Sequence, residues 1–306
     1  MEYRVERLSR ENIHHLVPLY ADVFHRSVSL AFLLAKYNTQ SVGVEFVGYV
    51  AFTEDNNPAG YYGVIPCYFQ LQERVIVAAQ SADTMTHPRH RKKGLFQLLA
   101  THTYDLARKL KIEFIFGFPN QNSLPGFVKL NWQFLPDQLQ VFTLNVKTLS
   151  FGGLIRRSAL LSSWYGRFLD RMGRRHTGGL SIAIPVADGV LHDYNFFAYK
   201  TYNTTHVVLV QDVKIWMKAD GKLKVGAVQG LDHSNVIQFL MQLKKLSLRL
   251  GCREVIFMTS RHSLLHRTLC DLLSPRDAFP IGFLALQNEV LSFKNVLFEY
   301  CDVDIF

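Results

Sequence analysis

The sequence predicts an α/β fold of the α+β kind, a mixed and mostly antiparallel central sheet flanked by helices, and three observations carry this. Strand-like runs at Val44 to Phe52, Tyr61 to Leu71 and Val75 to Thr86 follow one another with only short turns between them. A basic, glycine-containing loop then opens a long helical segment from Leu95 to Leu110, and a short apolar strand at Glu113 to Phe118 comes after it. Part of this order recurs: Gln97 and Gln238 are 141 positions apart, and at the same offset Ile115-Phe116 fall on Ile256-Phe257 and Glu113 on Glu254.

Taken in order, Tyr3 to Leu8 alternates as a strand does. Ser9 is an N-cap candidate with Asn12 three residues on, before a helix patterned through His15, Leu16, Leu19, Tyr20 and Phe24. A second helix is expected over Val28 to Lys36. The polar stretch Glu54 to Gly60 joins the first two sheet strands and Gln72-Glu73-Arg74 turns tightly between the next two, so they should pair as an antiparallel meander. In the second half, a hairpin of Val213 to Lys218 with Lys222 to Val228 about Asp220-Gly221, a helix from Asn235 to Leu250 and a strand at Glu254 to Met258 repeat the pattern.

A chain of 306 residues with 48% hydrophobic content is long enough for two cores, and with 19% charged residues and no like-charge run long enough to stay disordered all of it should fold. The longest apolar runs, Val75 to Ala79 and Val207 to Val210, are strand-sized, so no transmembrane helix is expected. Met1 to Glu6 lacks the features of a secretion signal, and the protein is expected to be cytoplasmic. The cysteines Cys67, Cys252, Cys270 and Cys301 and the histidines show no ligand spacing, so no metal is assigned. The formal charge of +9 suits an anionic ligand.

The chemistry is concentrated at His87-Pro88-Arg89-His90-Arg91-Lys92-Lys93-Gly94. Fixed cations crowd a loop whose backbone N–H groups open a helix, and the helix dipole adds about half a positive charge at the same end. A basic loop before a helix has a plain reading, solvated charge, and a functional one, a pyrophosphate cradle. The strand, loop, helix, strand order around it favours the second.

Here the sequence resembles the GNAT acetyltransferase superfamily, whose acetyl-CoA signature Gln/Arg-x-x-Gly-x-Gly/Ala is matched by Arg91-Lys92-Lys93-Gly94-Leu95-Phe96, with Phe96 at a usually small position. A second family pattern, Asn-x-x-Ala-x-x-x-Tyr-x-Lys-Leu-Gly-Phe, is met in register by Asn120-x-x-Ser123-x-x-x-Phe127-x-Lys129-Leu130-Asn131-Trp132. The resemblance implies that Thr84, Met85 and Thr86 pair through their backbone with pantetheine. It further implies that residues 91 to 96 hold the pyrophosphate and that Asn120, with Ser123 and Phe127 beyond it, borders the cofactor. It also puts the usual acidic tyrosine at Phe127, which has no proton to give.

The resemblance makes 1–148 a catalytic GNAT domain; a basic amphipathic connector follows over 149–180, and the repeat makes 181–306 a degenerate GNAT-like domain, with two unrelated α/β units as the alternative. In that second domain Asp232-His233-Ser234-Asn235 replaces the cradle, and an acid there repels phosphate. The connector sets Arg156, Arg157, Arg167, Arg171, Arg174 and Arg175 among apolar residues; packing between domains is the plainer reading and peripheral contact with an anionic membrane the sharper one.

Candidate proton acceptors are Asp83 on the fourth strand, Glu45 on the second, and the Phe306 carboxylate. The last is carried over from Eis-like acetyltransferases, whose terminal phenylalanine carboxylate acts as base. The function implied is acetyl-CoA-dependent N-acetylation of a small amine. Similarity to GNAT proteins among bacterial surface-polysaccharide enzymes points to an amino sugar, and the positive charge favours a nucleotide-linked one. Phe127 motivates the rival reading, a non-catalytic acyl-CoA sensor or scaffold. Nucleic acid is not an expected partner, because no stacking-aromatic motif accompanies the charges.

Overall fold

The computed structural model describes residues 2–147, 165, 167–169, 171, 188–287 and 291–306. Its first elements are β1 (Arg4–Arg7), α1 (Leu16–Phe24), α2 (Leu30–Tyr37), β2 (Val47–Phe52), β3 (Pro58–Leu71), β4 (Arg74–Thr86), α3 (Leu95–Lys109), β5 (Phe114–Gly117), α4 (Leu124–Lys129) and β6 (Gln133–Asn145). There follow β7 (Gly189–Val190), α5 (Tyr194–Lys200), β8 (His206–Val210), β9 (Val213–Ala219), β10 (Leu223–Gln229), α6 (Val236–Arg249), β11 (Glu254–Thr259), α7 (Leu264–Cys270) and β12 (Arg276–Ala285).

The chain forms two compact units, Met1–Pro136 with Pro280–Lys294, and Asp137–Phe279 with Asn295–Phe306. The divisions at 136/137 and 279/280 fall inside β6 and β12 instead of at 148, because each of these strands has residues in both units. The expected connector, 149–180, lies almost wholly outside the described residues. Within it Leu169 is buried in the second core, the Tyr165 hydroxyl donates to the Leu250 carbonyl at 2.9 Å, and Arg167 and Arg171 face solvent.

In the first unit the strand order is β1-β2-β3-β4-β5 with the end of β12 outside β5. Neighbours are antiparallel except β4 and β5, which run parallel. Alternation along β3 assigns the faces: Tyr61 meets Tyr37 of α2, while Tyr62 meets Tyr104 of α3. Local chemistry sets the ends. Asn12 Oδ1 accepts from the Ser9 N–H at 2.8 Å, Ser29 Oγ accepts from the Phe32 N–H at 3.1 Å to open α2, and left-handed His25 (φ 52°) closes α1. Phe46 is also left-handed (φ 51°), so β2 begins at Val47 and Glu45 precedes the strand on which it was expected.

The second unit orders its strands β6-β11-β10-β9-β8, with β10 and β11 parallel and the rest antiparallel. Both units therefore show a meander, a long helix and a strand parallel to the meander's last. Its core is Phe142, Ile215, Met217, Val225, Phe239, Leu243, Val255 and Phe257 with their neighbours.

The C-terminal stretch is docked in this unit: Phe298, Tyr300, Cys301, Val303 and Phe306 are buried. His192 Nε2 lies 2.5 Å from Asp302 Oδ1, with Cys301 Sγ 3.6 Å from the same nitrogen. The 2.5 Å contact is a hydrogen bond, shorter than the separation of about 3.3 Å that two ligands around one zinc ion keep. This pair pins the tail. Among the described residues no helix is long and apolar enough to cross a membrane.

Candidate active site

Two backbone irregularities build the site in the first unit. β4 and β5 pair only at Ala79↔Ile115 and Gln80↔Phe116, so from Ser81 onward the two strands part. At the same place the β3–β4 register slips between Tyr61/Gly63 and Met85/Ala82, a bulge that leaves Asp83 in the left-handed region (φ 49°). The His87 N–H still donates to the Ala59 carbonyl at 2.9 Å, so by alternation the Thr86 backbone groups point away from β3, into the gap. Thr84, Met85 and Thr86 thus lie along the open flank of β4, and an extended ligand with amide groups can complete their hydrogen bonding.

The basic loop follows directly. A single 3₁₀ turn, Pro88–His90, is closed by His87, whose ring accepts from the Arg89 N–H at 3.2 Å. Lys92 (φ 61°) and Gly94 (φ 78°) then take left-handed conformations, and a Cβ on Gly94 would meet nothing within 4 Å. No side chain caps α3, so its first N–H groups face outward, beside exposed Arg91, Lys92, Lys93 and Gly94. His90 bonds the Tyr3 hydroxyl at 2.9 Å, and burial, reinforced by Lys93, holds its pKa below the ordinary imidazole value. At neutral pH His90 therefore adds little to the positive charge of Arg91, Lys92 and Lys93.

Asn120 and Ser123 come together in the turn before α4. Asn120 Oδ1 accepts from the Asn122 and Ser123 N–H groups at 2.9 and 3.1 Å, and Ser123 Oγ accepts from the Asn120 N–H at 3.1 Å. Leu95 and Phe96 begin α3, Leu95 buried beneath it. Phe96 meets Phe127 edge-on at 5.4 Å, and room for its bulk comes from Gly126, where a Cβ would lie 2.6 Å from the Phe96 ring. Phe127 is buried against Trp132 at 4.5 Å, a core side chain.

On the opposite face Asp83 carries Lys36 Nζ at 2.6 Å and the Tyr37 and Tyr20 hydroxyls at 2.7 and 3.3 Å. Both of its oxygens are engaged by these donors. Burial, then the Asp83 charge, raises the Tyr37 pKa well above its usual value, so that phenol stays a donor. Among the described residues Gln80 Nε2 is buried without a hydrogen-bond partner, opposition to Ile65 puts Gln80 on the Tyr61 face, and the Tyr61 hydroxyl sits beside that of Tyr37. Glycines make room for Tyr61: a Cβ on Gly63 would collide with its hydroxyl. Glu45 Oε2 is likewise buried without a partner among the described residues. Phe306 belongs to the second unit, its ring 5.3 Å from Trp216 and over Gly226, and its carbonyl accepts from Asn203 Nδ2.

Sequence reasoning did not find Lys36, Tyr37, Tyr61, Gln80 or Ser81. The one available signal was the glycine set Gly48, Gly60 and Gly63 inside strands, which marks close approach of other groups. In the second unit an acid stands in the turn before the corresponding helix. Asp232 Oδ1 accepts from the Ser234 hydroxyl at 2.6 Å and from the Ser234 and Asn235 N–H groups at 2.8 and 3.2 Å, and these bonds lower its pKa.

Comparison with known proteins agrees with this geometry. Residues 4–134 match the family model of the acetyltransferase (GNAT) domain. Among solved structures, a GCN5-related N-acetyltransferase from Kribbella flavida is similar at TM-score 0.55 and 12% identity, over 93% of this chain and 71% of that one. A probable N-acyltransferase from Enterococcus faecalis is similar at TM-score 0.60 and 10% identity, over 94% and 73%. A putative acetyltransferase from Pyrococcus horikoshii is similar at TM-score 0.54 and 10% identity, over 97% and 93%. At these identities the likeness is one of fold. No curated protein sequence matches the chain. Residues 4–134, with their parted strands and uncapped basic helix start, form an acetyltransferase (GNAT) domain.

Proposed function

We propose that this acetyltransferase binds acetyl-CoA with pantetheine along Thr84, Met85 and Thr86 and pyrophosphate on Arg91 to Phe96, Asn120 bordering it, and acetylates a small amine. The observation that carries the reading is the uncapped start of α3 directly after a strand that has parted from its neighbour. Two ligand requirements, extended amides and a dianion, are met within one short segment. The acceptor would lie on the Tyr61 face, where among the described residues Gln80 Nε2 is buried without a partner. Its ammonium proton would pass to Glu45, whose buried oxygen is unclaimed, or to water; Asp83 would set the local field. An amino sugar, nucleotide-linked to suit the +9 charge, fits best. The second unit, with its shared element order and an acid in place of the basic loop, would be a GNAT-like domain that has lost its cradle.

The test is calorimetric titration of acetyl-CoA into the native protein, Gly94→Ala and Gly94→Glu. The alanine variant isolates backbone strain and the glutamate adds a charge where the phosphates would sit. Micromolar binding by the native protein, weakened in the first and abolished in the second, is expected. Equal binding by all three overturns the cradle. A second reading, a non-catalytic acyl-CoA sensor, draws on Phe127; thiol release from acetyl-CoA with any amine in a screen rules it out.

A further inference from the structure

We propose that Ser81 is the hydrogen-bond donor to the departing CoA thiolate, aimed by a buried chain of Trp132, Tyr104 and Tyr62. The proposal rests on the acetyl-CoA reading above. Trp132 Nε1 donates to the Tyr104 hydroxyl at 3.0 Å, Tyr104 and Tyr62 hydroxyls are 3.1 Å apart, and the Tyr62 hydroxyl is 2.9 Å from Ser81 Oγ.

Direction follows from the indole, which can only donate. If Ser81 donated to Tyr62 and Tyr62 to Tyr104, the buried Tyr104 proton would face another donor and have no acceptor. Run the other way, Tyr104 gives its proton to Tyr62 and Tyr62 gives its own to Ser81, so every buried O–H is satisfied. Only the Ser81 proton then lacks an acceptor, and among the described residues Ser81 has no further hydrogen-bond partner.

Ser81 is also in the right place. It is the first residue past the last β4–β5 pair, at the apex of the gap, and packs over Gly117 of β5, where a Cβ would come within 3.3 Å of its own. From Thr86 to Ser81 are five residues, about 16 Å of strand. An arm that starts at the helix and runs along β4 ends its thioester there. The chain lies on the α3 and α4 face, the side of Phe127, where the family's tyrosine is missing.

In the transfer the amine nitrogen bonds to the thioester carbonyl carbon, the C–S bond breaks, and its electron pair stays on sulfur. The proton lost from nitrogen ends on that sulfur or in water. Ser81 keeps its own proton. Burial pushes the Tyr104 phenol up to about 12 and Tyr62 well above its usual value, so the chain polarises and does not ionise.

Reduced CoA, bound to saturation, is titrated from about pH 6 to about pH 10 with its thiolate followed by ultraviolet absorbance against protein alone. The bound thiol should ionise about one pH unit lower in the native protein and in Ser81→Thr than in Ser81→Ala, a tenfold change in its acidity. Trp132→Phe, which removes only the donor that sets the direction, should fall between. Native and Ser81→Ala proteins that bind CoA and titrate alike overturn the proposal. A native protein that binds no CoA overturns the acetyl-CoA reading instead.

Discussion

Asp83 is a carboxylate with its side chain 5% exposed, held in a left-handed backbone conformation, and a single lysine makes that tolerable. Lys36 is itself 3% exposed, so neither charge has water to fall back on. Removing one partner leaves the other buried and uncompensated, which costs about 3–5 kcal/mol, while replacing both with neutral groups costs far less. Lys36→Met should therefore lower unfolding stability by about that amount in a denaturant titration. Lys36→Met with Asp83→Asn should recover most of the loss, since asparagine tolerates the left-handed bulge and still accepts from Tyr37. Additive losses would mean that the two charges do not depend on each other.

At the scale of elements, much was legible because it is written locally. Alternation gave the meander of β2, β3 and β4, the 3.6-residue period gave α3 and α6 to within a residue or two, and cations plus glycine marked the loop that opens α3. The bulge at Asp83 and the parting of β4 from β5 were not legible, because both arise from pairing between distant segments. The sequence likewise shows Phe96 in a small residue's place without showing what accommodates it. Gly126 of α4 does, and the pair makes a complementary exchange between α3 and α4. A Cβ there would sit 2.6 Å from the Phe96 ring, so Gly126→Ala should destabilise the protein by about 1–3 kcal/mol through overpacking. In Phe96→Ala/Gly126→Ala the clash is gone, and the double mutant should be more stable than the sum of the single losses predicts. Strict additivity in thermal unfolding would show that the helices adjust freely at this contact.

For the whole molecule, the consequential feature is that neither half of the sequence contains a complete unit. β5 is held to β4 by two register pairs and to β12 by four, Gly282↔Gly117 to Ala285↔Phe114, and β12 lies more than 150 residues downstream. The same segment supplies Ile281, Phe283, Leu286 and Phe293, all buried, with Phe283 and Phe293 stacked at 4.1 Å and Phe293 against Phe114 at 4.9 Å. Burial of four such side chains contributes roughly 6–12 kcal/mol at about 1.5–3 each, comparable with the whole stability of an ordinary domain. A fragment of residues 1–148 loses this and exposes β5 as an apolar edge, while its own residues 137–145 have no β11 to pair with. Such a fragment should aggregate on size-exclusion chromatography and show no cooperative melt. Residues 1–136 with Pro280–Lys294 joined by a flexible linker should instead be monomeric, unfold cooperatively and retain acetyl-CoA binding. A monomeric, cooperatively melting 1–148 fragment would show that the cradle domain folds from its contiguous sequence alone, and that the segment from Pro280 is an embellishment instead of a structural strand.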